Sequence, residues 1–299
     1  MKAPTRSLAL RSLAERHALF GAYILALLLF QWDLIAALAA VANNDATASH
    51  HLLIPIVTLV LVLQQRRTVF STVRVSPVLG GFWIAAGVAF ALSGRLFEGL
   101  NAHDRLTLAT ASLVALTVGG FAILYGASAF RAALFPLLFL GFTIPIPTIV
   151  LQQVTVFLKA QSAEAVAGLF TMTGTPYHRE LFVFSLPTAV IQIADECSGI
   201  RSSIALLLTS LLAGHLFLQR SASRILLVIA ILPIAIIKNA ARIVSLALLA
   251  MHVDPGFLTG QLHHEGGIVF FLLGLALLAP LFILLQWSEM RRVLRVFPA

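Results

Sequence analysis

Long apolar runs alternate with short polar breaks along this chain, and most of the runs have the length that crosses a bilayer. Stretches near 19–41, 50–64, 77–94, 106–127, 132–152, 197–217, 225–251 and 264–287 are dominated by Leu, Ile, Val, Ala and Phe. About 20 such residues span the hydrocarbon core as a helix, so the pattern predicts about eight transmembrane helices. No block of soluble-domain length lies between them. The region between the fifth and sixth spans departs from the pattern. There "IPIPT" (144–148) stops a helix, because proline lacks a donor and disfavours helical geometry in the residue before it. "VLQQVTVFLKAQSAEAVAGLF" (150–170) sets Gln153, Lys159, Gln161 and Glu164 among apolar residues, which predicts a helix lying in the interface. "ELFVFSLPTAVIQIADE" (180–196) is rich in β-branched and aromatic residues around a Leu-Pro-Thr break, which predicts a short hairpin on the outer face. Asp195 then reads as the N-cap of the sixth helix, with Glu196 and Cys197 in its first turn.

Composition agrees with this all-α polytopic class. The chain is 60% hydrophobic and only 11% charged, with a mean hydropathy of +0.98, whereas soluble domains are roughly half apolar. One integral membrane domain over 1–299 accounts for the whole. A net charge of +8 would suit nucleic acid in a soluble protein, but here its distribution follows the loops. With the N-terminus inside, the cytoplasmic segments hold Lys2, Arg6, Arg11, Arg16, Arg66, Arg67, Arg74, Arg131, Arg220, Arg224, Arg291, Arg292 and Arg295, thirteen of the twenty basic residues. That bias predicts basic cytoplasmic ends at 1–18 and 288–299, contact with membrane lipids, and no nucleic-acid partner. The first apolar run contains Asp33 and lacks a small-residue cleavage site, so it reads as a retained helix rather than a signal peptide.

Polar residues inside such runs are where chemistry is sought. The seventh span carries "IIKNAARIVSLALL" (236–249), where Lys238, Asn239, Arg242 and Ser245 recur at three- and four-residue spacings and so share one side. Arg242 costs at least about 2.5–3.5 kcal/mol in an apolar span. Its two readings are a structural arginine paired to Asp195 or Glu196, and a cation waiting for a thiolate or a tetrahedral oxyanion. Cys197 is the single cysteine; it is either a small buried hydrophobe or, with no intramolecular partner outside the cytoplasm, a reactive thiol. His263 and His264 stand at the mouth of the last span as loop residues or as a general acid/base. "HHE" lacks the helical spacing of a two-histidine metal site, and no metal or other cofactor is expected. Arg201, four residues after Cys197, either neutralises Glu196, assists Arg242, or snorkels to the headgroups.

"ADECSGIRSS", "NAARIVSLALL" and "LHHEGGIVFF", in this order on successive helices, resemble the three signature segments of the exosortase/archaeosortase family. "SHHLLIP", "IPIP" and "GTPYHRE" add to the similarity, which covers most of 30–275. The resemblance implies a membrane cysteine transpeptidase or endopeptidase of the inner membrane, with its site on the extracytoplasmic side. Its substrates would be exported proteins bearing a PEP-CTERM-type tail of motif, transmembrane helix and basic cluster, released to a surface acceptor. It also implies Cys197 as nucleophile, Arg242 as the essential arginine and His263, four residues before Gly267, as acid/base. Lys238, Asn239, Arg201, Glu196 and His264 are candidates for supporting roles. Two readings of other classes stand beside it: a transporter for an anionic solute, and a non-catalytic partner in exopolysaccharide or protein export. A transporter of the common kind would show inverted repeats and matching broken helices, and none is evident in the sequence.

Overall fold

The computed structural model describes residues 12–44, 50–195, 198–258 and 267–296. The chain divides into two compact units, Met1–Thr148 and Ile149–Ala299.

In the first unit, α1 (Leu13–Phe30) opens on a capping box. The Glu15 N–H donates to Ser12 Oγ at 3.3 Å and the Ser12 N–H to Glu15 Oε2 at 2.9 Å, which satisfies two of the orphan donors of a helix start. The helix stops at Gln31, and α2 (Trp32–Asn44) begins one residue on. The expected first span, 19–41, is thus two helices. The expected second span is α3 (His50–Gln64), 15 residues with Pro55 inside it. After the single turn α4 (Arg66–Val69) come α5 (Pro77–Leu96) and the 31-residue α6 (Ala102–Ala132). These two pack through glycines: a Cβ on Gly87 would lie 2.8 Å from Leu116, and one on Gly119 2.9 Å from Ile84. Small residues at such seams let membrane helices approach closely. At Gly126, α6 breaks, with φ 87; a Cβ there would fall 1.6 Å from the Arg74 carbonyl oxygen, so glycine is required on two counts. Arg16, itself buried, donates to the Leu124 carbonyl beside that break. Phe20, Phe70 and Phe121 pack edge-on or tilted against one another and Tyr125, and Tyr125 Oη meets His17 Nδ1 at 2.8 Å. After α7 (Leu134–Leu140) and a 3-10 turn, the Ile-Pro-Ile-Pro segment is held by the start of α6. His103 Nε2 contacts the Ile146 carbonyl oxygen at 2.8 Å, and Asp104 Oδ1 accepts the Thr148 N–H at 2.7 Å.

The second unit starts with α8 (Thr148–Met172), a 25-residue helix that covers the stretch expected to lie in the interface. A three-stranded antiparallel sheet follows, β1 (His178–Glu180), β2 (Val183–Ser185) and β3 (Val190–Gln192), in the order β1-β2-β3. It is one strand more than a hairpin. Phe184, Leu186 and Ile193 from this region pack with Ala163, Val166 and Phe170 of α8 and with Ala240, Ile243, Val244 and Ala247 further along. Three long helices complete the unit: α9 (Ile200–Phe217), α10 (Ser221–His252) and α11 (Gly267–Val296). Leu206, Leu218, Leu227, Ile231 and Leu278 form their shared core. Glu289 of α11 closes the α9–α10 connection by accepting the Gln219 N–H at 2.8 Å and the Arg220 N–H at 3.1 Å.

Among the described residues, six helices are long and apolar enough to cross a membrane, and a seventh span results if Leu134–Thr143 and Thr148–Met172 count as one broken helix. Of the eight expected spans, the two that fall outside these six are α3, which is too short to span unaided, and the fifth run, which proline interrupts; the first run still supplies a span in α1. The chain is a multi-pass helical membrane protein.

Candidate functional site

The second unit brings the interior polar residues of α10 against the start of α9. Lys238 is 1% exposed and Asn239 is 2% exposed, inside a 32-residue helix that otherwise buries apolar side chains. Arg242, one turn on from both, is half-buried, and its guanidinium lies over the Phe270 ring of α11, 5.9 Å from the centroid. That is within the range of a cation–π contact. Ser245, two turns on from Lys238, is exposed, so the inward-facing patch is the 238–242 segment alone.

Lys238 and Asn239 each meet a polar partner. Asn239 Nδ2 donates to Ser162 Oγ of α8 at 3.0 Å, in a fully buried position. Lys238 Nζ donates to Ser202 Oγ in the first turn of α9. Ser202 Oγ in turn donates to the Gly199 carbonyl at 3.1 Å, and Ser203 Oγ to the same oxygen at 2.8 Å.

Gly199 is the hinge of the arrangement. It is the N-cap of α9 with φ 75, and no side chain caps the helix. An added Cβ would lie 2.8 Å from Asn239 Oδ1, so the Gly199 backbone is seated directly on the asparagine. This corrects the sequence expectation for Asp195. The helix begins at Ile200, past Cys197, and a left-handed glycine rather than an aspartate makes the cap. Asp195 instead pairs with Lys159 of α8 at 2.7 Å, its own side chain 73% exposed. The Ser198 N–H donates to the Asp195 carbonyl at 3.1 Å, and Ser198 is 1% exposed. Asp195 and Ser198 are thereby tied to each other.

Of the eight residues singled out in the sequence, Lys238, Asn239 and Arg242 sit together. Arg201 lies in the first turn of α9 but is exposed, and it makes no ion pair with another described residue. Cys197, Glu196, His263 and His264 lie outside the described residues. Ser162, Ser202 and Gly199 were not singled out. Ser162 is 77 positions from its partner, so no local pattern marks it, whereas the Ser198-Gly199 dipeptide is a turn signal that could have displaced the cap from Asp195.

In the same unit, Arg179 of β1 pairs with Glu164 of α8 at 2.8 Å, and this carboxylate raises the arginine above its ordinary pKa range. The sheet is thereby tied to the helix that carries Ser162.

Comparison with curated proteins and with solved structures gave no significant match. The family model for transmembrane exosortases matches residues 41–280, a stretch that includes Cys197, the whole of the α10 patch and the His263-His264 doublet. With four-fifths of its length matched in this way, the chain belongs to the transmembrane exosortase family.

Proposed function

We propose that this exosortase is a cysteine transpeptidase or endopeptidase that cleaves the C-terminal sorting tail of exported proteins at the extracytoplasmic face, with both its termini in the cytoplasm. The observation that carries the proposal is the Lys238–Asn239–Arg242 segment, its first two residues buried and Arg242 half-buried, with Lys238 and Asn239 seated on Ser202 and Gly199 shortly after Cys197 in the chain. Such residues in an apolar span are costly, and they mark functional cavities more often than packing.

In this reading His263 takes the Cys197 proton, and the sulfur attacks the scissile carbonyl carbon of the tail motif. Arg242 stabilises the oxyanion that forms. Collapse of the tetrahedral species breaks the C–N bond, and the departing amine takes the proton from His263. The upstream protein remains as a thioester on Cys197. An amine or hydroxyl of a surface acceptor, deprotonated by His263, then attacks the thioester and restores the thiol; water in its place gives hydrolysis. Exported proteins bearing a motif, a transmembrane helix and a basic cluster are the proposed substrates.

The test is co-expression with a tailed substrate, reading its new C-terminus by mass spectrometry with the parent chain and with Cys197→Ser. A shortened product, as free acid or adduct, that disappears with Cys197→Ser supports the reading. Processing by a membrane-inserted Cys197→Ser chain at the parental level would sink it and favour a non-catalytic partner.

A further inference from the structure

The acyl-transfer steps above leave the buried lysine of α10 unused. Lys238 is 1% exposed within a helix apolar enough to cross the membrane, where an ammonium is costly to insert. It occupies a prepared slot. Its stem passes Gly274 of α11, where an added Cβ would lie 3.1 Å from the lysine Cδ. Its ammonium ends on Ser202 Oγ, and no carboxylate among the described residues pairs with it. An apolar side chain of similar length would fill the slot without the desolvation cost, so packing does not account for a lysine.

The hydrogen-bond direction shows what the charge holds. A serine hydroxyl has one proton and two lone pairs. Ser202 donates its proton to the Gly199 carbonyl, which leaves its oxygen to accept from Lys238. The result is a directed chain from ammonium to hydroxyl to backbone carbonyl. Gly199 is held from a second side by the next residue of α10, since its Cα rests against Asn239. Two consecutive residues of one helix thus clamp a left-handed glycine placed two residues after Cys197.

We propose that Lys238 is a positioning residue which, through Ser202, fixes the Gly199 carbonyl and with it the backbone carrying Cys197. The proposal rests on the reading of Cys197 as the nucleophile. The charge on the lysine strengthens the bond that Ser202 makes, as a charged donor does compared with a neutral one. The loss expected on removing it is therefore one of geometry at the sulfur rather than of substrate binding.

The test uses the full chain in native membranes with a tailed substrate, and compares Lys238→Met, Ser202→Ala, Ser202→Thr and the double variant Lys238→Met/Ser202→Ala. Lys238→Met and Ser202→Ala are expected to lower kcat by about 10- to 100-fold with KM nearly unchanged, the scale of a misplaced reacting group. The double variant should be no slower than the slower single one, because both cut the same chain. Ser202→Thr keeps the hydroxyl and should recover most of the parental kcat. Iodoacetamide alkylation of Cys197, the single cysteine, is followed without substrate and should change in rate in the same variants and not in Ser202→Thr. That readout survives even if Cys197→Ser leaves processing intact, so failure of the peptidase reading and failure of the clamp are told apart. An inserted Lys238→Met chain with parental kcat and alkylation rate overturns the proposal, as does a double variant whose loss is the product of the single losses. Should Lys238→Met fail to insert, the serine pair decides: equal rates for Ser202→Ala and Ser202→Thr overturn it.

Discussion

Adding one methyl group at Gly199 probes the packing that places the start of α9. The residue has φ 75, a left-handed conformation that costs an L-residue about 1–2 kcal/mol. The new Cβ would also lie 2.8 Å from Asn239 Oδ1 and 2.9 Å from its Cγ. Asn239 would have to move, and its bond to Ser162 Oγ at 3.0 Å would stretch or break, a further loss of about 0.5–1.5 kcal/mol in a buried site. Gly199→Ala should therefore lower unfolding stability by roughly 1.5–3.5 kcal/mol. Chemical unfolding of the purified chain in mixed micelles reads this directly. The companion variant Asn239→Ala clears the space into which the methyl points. Gly199→Ala/Asn239→Ala should then be less destabilised than the sum of the two singles by about 1–2 kcal/mol, the coupling expected of side chains in direct contact. A Gly199→Ala chain as stable as the parent, or strict additivity in the double variant, would refute the reasoning.

Three further outcomes follow from other contacts. Arg242→Ala should cost about 100- to 1,000-fold in the rate of tail cleavage, as loss of an oxyanion donor does, and Arg242→Lys should recover part of it; the rate of product formation decides. Glu289→Ala leaves the Gln219 and Arg220 N–H groups at the start of α10 without their carboxylate, and should destabilise by about 1–3 kcal/mol in thermal unfolding, with Glu289→Gln intermediate. Lys159→Ala removes a pair whose aspartate is 73% exposed, so its effect on the same melting curve should stay below about 1 kcal/mol.

Where the physics is local, the sequence was legible. The apolar runs at 77–94, 106–127, 197–217, 225–251 and 264–287 all correspond to long helices, because backbone hydrogen bonds inside a membrane leave few other solutions. The β-branched and aromatic stretch after residue 180 does form strands. Lys238, Asn239 and Arg242 stood out because charge and amide groups are costly in an apolar helix, and the structure buries the first two and half-buries the third. What local pattern could not supply was partnership. Asp195 looked like a cap, but Lys159, 36 residues away, takes it, and Gly199 makes the cap by adopting a backbone conformation that favours glycine. Ser162 and Ser202 look like ordinary helical serines until α10 is laid against them. Gln31 splits the first run, although nothing in its immediate neighbourhood is a helix breaker. The 150–170 stretch is a helix, as its pattern predicted, but that Ser162 and Ala163 are buried against neighbours within the unit was not visible in it.

The most direct measurement is the mass of the peptide containing Cys197 after brief exposure of the chain to a tailed substrate. A thiol that attacks the tail predicts a mass increase equal to the upstream acyl fragment, confined to that peptide and discharged by hydroxylamine. Undiminished cleavage of the tail by a correctly inserted Cys197→Ala chain would contradict it.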